Sequence, residues 1–222
     1  MSWHIKPEIF WCIANDRPVF LDMATQRYFT LPAHQAAIFA SWSGSAGTAD
    51  ADLSALPMLV SAAPAPGDWR LALRPPTEFP LPEESRTDNL TQSPYLSLIP
   101  AAFLCHGLAR LLLKTSPFAS SVRRLVARRR SALAATSRPQ RWKLGRAAAS
   151  FDVTSRVLKS HDRCLQTSVA QSLFLWKLGH APNLVLGVKM APWAAHAWVQ
   201  DGATVLNDDA DRVRSFTPIL VI

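Results

Sequence analysis

A chain of 222 residues and 24.5 kDa has room for a sizeable core in one or two domains. Its net charge of +8 coexists with 49% hydrophobic and only 18% charged residues, which excludes a disordered polycation. Three cysteines, Cys12, Cys105 and Cys164, form no CxxC pair, so a disulfide scaffold and a structural zinc site are excluded and a reducing cytoplasm fits.

From the start, Met1 to Glu8 lacks the apolar stretch of a secretory signal. Three β-prone runs follow, Ile9 to Ala14, Pro18 to Met23 and Gln26 to Leu31, separated by Asn15-Asp16-Arg17 and Ala24-Thr25; they predict a small antiparallel meander. Pro32 suits a first helical position, so Ala33 to Trp42 reads as a helix, with one or two short helices to follow between Thr48 and Ala62. Three strands and about three helices resemble a winged helix-turn-helix in which the sheet comes first.

Eight prolines between residues 63 and 100 mark a linker, to which Trp69 to Leu73 could add one strand. From Asn89 to Phe151 there is no acidic residue, while eleven of the 24 Lys and Arg side chains lie there. Two amphipathic helices, Leu98 to Lys114 and Phe118 to Ala135, carry most of this charge. Pro100, His106 and Arg110 interrupt the longest apolar stretch, which therefore reads as short of a membrane span. No aromatic residues interleave with the basic stripe, so nucleic acid is not the expected partner.

Ser160 reads as the N-cap of an apolar helix, Leu165 to Leu178, closed by Gly179. Cys164 then lies in the first turn, where the helix dipole favours thiolate. Strands Leu184 to Lys189, His196 to Gln200 and Ala203 to Leu206 follow. A two-residue Asp201-Gly202 turn sets Asn207 opposite His196, whereas a three-residue bulged loop puts Asp208 on the histidine's face; parity leaves both open. A thiol, an imidazole and an adjacent carboxylate or amide are the parts of an acyl-transferring site. Cys12 and Cys105 read as buried thiols, and no ligand set completes a metal site around His161.

Taken together, Arg163 to Ser168 (RCLxxS), Leu184 to Val188 (LVxGV), Ala195 to Val199 (AHAWV) and Leu206-Asn207-Asp208 resemble the leader peptidase of lasso peptide biosynthesis, the B protein, a transglutaminase-like member of the papain superfamily. Val19 to Asp22 and Arg27 to Leu31 resemble the precursor-recognition element of the same pathways, here fused to the peptidase. The resemblance implies an α+β chain in three parts: a winged helix-like leader-recognition domain at 1–80, a linker with basic helices at 81–144, and a transglutaminase-like, papain-like cysteine protease domain at 145–222. It implies Cys164 as nucleophile, His196 as base and then acid, and Asp208 as orienting carboxylate, which selects the bulged loop. The leader would add as a strand beside Gln26 to Leu31, with Tyr28, Phe29, Leu31, Leu53 and Leu56 as substrate-binding residues. Partners would be the precursor peptide and an asparagine synthetase-like lasso cyclase docked on the basic helices; no cofactor, nucleic acid or membrane is implied. A non-catalytic chaperone presenting the precursor is the alternative, and a DNA-binding regulator ranks third.

Overall fold

The computed structural model describes residues 3–44, 53–61, 63–65, 67–75, 79–86, 92–135, 141–158 and 163–222. A short strand β1 (His4–Ile5) leads into the meander β2 (Ile9–Ala14), β3 (Arg17–Asp22) and β4 (Arg27–Thr30), paired in that order. Asn15 and Asp16 both adopt positive φ, 49° and 57°, as a two-residue turn between Ala14 and Arg17 requires. At the next turn the Asp22 carboxylate accepts from the backbone N–H groups of Ala24 and Thr25. Helix α1 (Ala33–Gly44) follows. The helical stretch expected between 48 and 62 is instead a 3-10 turn (Leu53–Ala55) and strand β5 (Leu59–Val60), which pairs with β1; residues 45–52 and 62 lie outside the described set. Among the described residues this part holds one α-helix and one 3-10 turn beside its strands.

The meander is buried on both faces, and strand alternation divides its residues. Phe10, Cys12, Ala14, Val19, Leu21 and Tyr28 face the main core of the molecule. Ile9, Trp11, Phe20, Phe29 and Leu31 face a smaller core with Phe39, Leu53 and Leu56. Phe29 stacks on Phe20 at 5.0 Å, and Leu53 and Leu56 are 3% and 1% exposed. Leu53 and Leu56 thus fill this core and line no open surface.

In the proline-rich region, Trp69 to Leu73 forms no strand; Leu71–Leu73 is a 3-10 turn, and the short β6 (Glu84–Ser85) lies further on. Helices α2 (Ile99–Thr115), α3 (Phe118–Ala135), α4 (Leu144–Val157) and α5 (Cys164–Lys177) then precede β7 (Asn183–Met190), β8 (Trp193–Asp201), β9 (Thr204–Val205), α6 (Ala210–Arg214) and β10 (Thr217–Val221). The second sheet runs β10-β7-β8-β9-β6, antiparallel except for the β6–β9 pair. Helix α5 crosses one face, with Val169, Ala170, Phe174 and Leu175 fully buried. It ends where Gly179 takes φ +89°, a conformation that lets the His180 N–H reach the Leu175 carbonyl.

The segment expected as linker contributes α2 and α3, whose Ala102, Cys105, Ala109, Val122 and Leu125 lie in the main core beside α5. By length and composition Leu96–Thr115 meets the requirement for a membrane span, with 28% of its apolar window buried. His106 on α2 is nonetheless a core residue: its Nε2 meets Thr154 Oγ1 at 3.1 Å and its ring stacks on Phe151. Arg129 of the basic stripe is a strut, donating to the carbonyls of Ala181 and Pro182 and to Asn183 Oδ1.

One close approach fixes β7 against its neighbours. A Cβ at Gly187 would stand 2.7 Å from Trp198 Cη2 and 3.1 Å from the Thr217 carbonyl. Trp198 is fully buried and its indole N–H is committed to Gln200 Oε1, so it has nowhere to move. Gly187→Ala is expected to destabilise the fold by about 1–3 kcal/mol, read as a lower thermal midpoint by differential scanning calorimetry.

Candidate active site

Helix α5 begins at Cys164 itself. Arg163 holds the N-cap position without a side-chain cap bond, and Ser160, His161 and Asp162 lie outside the described residues. The nucleophile candidate is therefore the first helical residue, where unpaired N–H groups and the dipole favour negative charge.

Strand β8 carries His196 to the same end of the molecule. Its Nε2 lies 2.5 Å from Asp208 Oδ2, which leaves Nδ1 for Cys164. Asp208 arrives by neither of the two expected hairpins. Gln200 pairs with Val205 and Asp201 with Thr204, so the turn is Gly202-Ala203 without a bulge, and Gly202 takes φ +57°. Strand β9 ends at Val205, one further backbone bond joins the Leu206 N–H to the Val199 carbonyl, and the chain bends over 206–208, which frees Asp208 from pleat parity.

The uncovered edge of β8 is rebuilt from side chains. The Asn207 carbonyl oxygen accepts from the Val199 N–H at 2.8 Å, and its amide donates to Ser168 Oγ at 2.8 Å; Ser168 in turn donates to the Ala197 carbonyl at 2.9 Å. This leaves the Ala197 N–H pointing at Cys164, alongside that of Leu165. Arg86 Nε donates to the Leu206 carbonyl at 3.1 Å, and Gln171 reaches the same oxygen, so the residue before Asn207-Asp208 is held from two sides. Arg86 also pairs with Asp152. Ser168 stands in the RCLxxS pattern and is signalled by a small polar residue in an apolar helix; Arg86 has no sequence signal, since it lies 120 residues from its acceptor.

Electrostatics separate the three thiols. Burial pushes Cys12 up to about 12 and raises Cys105 as well. Cys164 alone is lowered, first by the hydrogen bond with His196, against burial, and then by the Ala197 N–H. Burial works against the His196 imidazolium, yet the bonds to Asp208 and Cys164 outweigh it and raise the group to about 9. Burial likewise opposes Asp208 ionisation, but His196 and the Asp209 N–H hold it below the usual carboxylate range. Thiolate and imidazolium are thus mutually stabilised, and the pair is poised for attack on an acyl carbon. The ring of Phe216 covers His196 at 5.1 Å, with Trp198 stacked at 6.3 Å; Trp198 both fills the core and limits water at the imidazole.

The structure thus brings Cys164, His196 and Asp208 together. It places Tyr28 on the same side of the meander as this site, Phe29 and Leu31 on the opposite side, and Leu53 and Leu56 inside the smaller core. A groove of about 530 Å³ runs beside the first turns of α5, lined by Phe103, Arg110, Ser155, Arg163 and Gln166 among others. Among the described residues no three His, Cys, Asp or Glu side chains converge on a metal-sized site.

The profile of the Transglutaminase-like superfamily matches residues 104–221, from within α2 to the end of β10. No curated protein and no solved structure matches the chain.

Proposed function

The chain belongs to the transglutaminase-like superfamily, and from that premise we propose that it is a cysteine endopeptidase, the leader peptidase of lasso peptide biosynthesis. The observation that carries this reading is the selective lowering of Cys164 by a His196 that is itself held by Asp208. The imidazolium–thiolate pair attacks the carbonyl at the end of a leader. His196 then protonates the leaving amine, and water, activated by the same imidazole, releases the acyl-enzyme. The Cys164 backbone N–H is the oxyanion donor in this scheme.

The leader is read by strand addition to β4, an edge strand of the meander. Beside that edge lies a hollow of about 310 Å³ lined by Arg17, Pro18, Thr30, Leu31, Ala33 and Ala36, which offers a slot for one leader side chain. On this reading Leu31 touches the leader and Phe29 supports it from the core. The reaction belongs in a reducing cytoplasm, where the three cysteines, all unpaired, stay as thiols. The released core peptide passes to a cyclase. Its docking site on α2 and α3 centres on Arg124 and Arg128, which flank an apolar groove of Leu104, Leu108 and Leu112.

Incubating the purified chain with its precursor peptide and weighing the fragments by mass spectrometry tests the proposal. Two fragments whose masses sum to the precursor plus one water are expected. An intact precursor that nonetheless binds the protein would instead make the chain a presenting chaperone.

A further inference from the structure

Strand alternation separates Tyr28 from its neighbour Phe29. Register aligns Phe10, Leu21 and Tyr28 in one row, Phe10 and Leu21 are buried in the main core, and Tyr28 and Cys164 both pack against that core. The neighbouring row, Trp11, Phe20 and Phe29, faces away. At the far side, the tip of the β7–β8 hairpin brings Trp193 to Tyr28, ring centroids 5.7 Å apart at 67°. Trp193 is 48% exposed, so the aromatic pair stands at the surface where the recognition sheet and the catalytic sheet meet.

We propose that Tyr28 and Trp193 together form a wall of the cleavage site, so that the recognition sheet supplies a substrate-positioning residue beside Cys164. This rests on the endopeptidase reading and deepens it. The phenol has Cys164 among the charges that face it, and burial together with that thiolate raises it to about 12, so it keeps its O–H throughout neutral pH. The polar partners of Cys164 are His196 and the Ala197 and Leu165 N–H groups, so the phenol is not hydrogen-bonded to the thiol.

The wall also sets direction. A leader strand pairing antiparallel with β4 runs from the Thr30 end toward the Arg27 end, and its C-terminal residues then reach Tyr28 last. Recognition strand and nucleophile share one core, so the bond delivered to Cys164 lies a set distance beyond the paired segment.

The test compares Tyr28→Ala, Tyr28→Phe and Trp193→Ala by two readouts. In cleavage of the precursor, Tyr28→Ala and Trp193→Ala are expected to lower kcat/KM by about tenfold, and Tyr28→Phe, which keeps the ring and guards against misfolding, should lose less. The second readout needs no substrate: the rate of Cys164 alkylation by iodoacetanilide relative to iodoacetamide. The anilide ring can stack on the wall, so this ratio is expected to fall by about threefold in both alanine variants. An unchanged ratio overturns the proposal, as does unchanged kcat/KM in a chain that cleaves. If the wild-type chain cleaves no precursor, the endopeptidase reading fails by itself, and the alkylation ratio still decides the place of Tyr28.

Discussion

Cys164→Ala is expected to lower the cleavage rate by about 10⁶-fold while leader binding stays within twofold of wild type. Removing a nucleophile that acts as a unit with its base costs as much as removing the whole constellation, and hydrolase precedents put that cost near 10⁶ in kcat. No other thiol can substitute, because Cys12 and Cys105 are buried and shifted away from ionisation. The fold should tolerate the change: Cys164 sits at the first position of α5, half-buried, and alanine is the best helix former. Leader binding is assigned to the edge of β4, beside Thr30 and Leu31, and contains no contribution from the thiol. Single-turnover cleavage followed by mass spectrometry, with anisotropy on a labelled leader, checks both halves. A variant that still cleaves at the wild-type rate would dismiss Cys164 as the nucleophile.

How much of this could be read in advance depends on whether the signal is local. The meander was legible because Asn15-Asp16 and Ala24-Thr25 punctuate three β-prone runs, and α5 because Gly179 closes an apolar helical run. Strand β6 was not legible: it is two residues, Glu84-Ser85, that gain their conformation only by pairing with β9, some 120 residues on. The basic helices are legible as amphipathic, but their place in the main core is not, because the buried stripe of α2, Ala102, Cys105 and Ala109, is built of small residues with little periodic signal. The site divides in the same way. Cys164, His196 and Asp208 stand in short distinctive motifs, but the route of Asp208 to the histidine depends on where a hairpin turns and where its ladder ends. Pleat arithmetic assumed a regular strand through Asn207; the structure ends that strand at Val205 and lets side chains of Asn207 and Ser168 finish the edge. The separation of Tyr28 from Phe29 is not legible either, because a lone strand does not say which of its faces meets which core.

Asp208→Asn is expected to cut kcat/KM by about 10²–10⁴-fold and to narrow the pH range of whatever activity is left. The carboxylate does two things in the native site: it orients the imidazole through Nε2, and it holds the proton on that ring up to about pH 9 against burial. An amide keeps a hydrogen bond but gives up the charge. Burial then acts on His196 with less opposition, so the imidazolium deprotonates at lower pH, and Cys164, losing its cationic partner, moves back toward an ordinary thiol. The alkaline limb of kcat/KM should therefore shift down and the acid limb of Cys164 alkylation by iodoacetamide should shift up. Stability carries the same signature with a definite sign. The His196 pKa is raised on folding, so its contribution is complete below the unfolded value of about 6.5 and is lost as pH rises through about 9. The Asp208 pKa is depressed, so its contribution is present above the unfolded value of about 3.9 and is lost as pH falls through the folded one. The stability gap between wild type and Asp208→Asn should be widest between about pH 4 and 6.5 and close in alkali; urea melts at pH 5.5 and pH 9.5 measure it. A gap that is the same at both values would mean that Asp208 positions the imidazole without charging it.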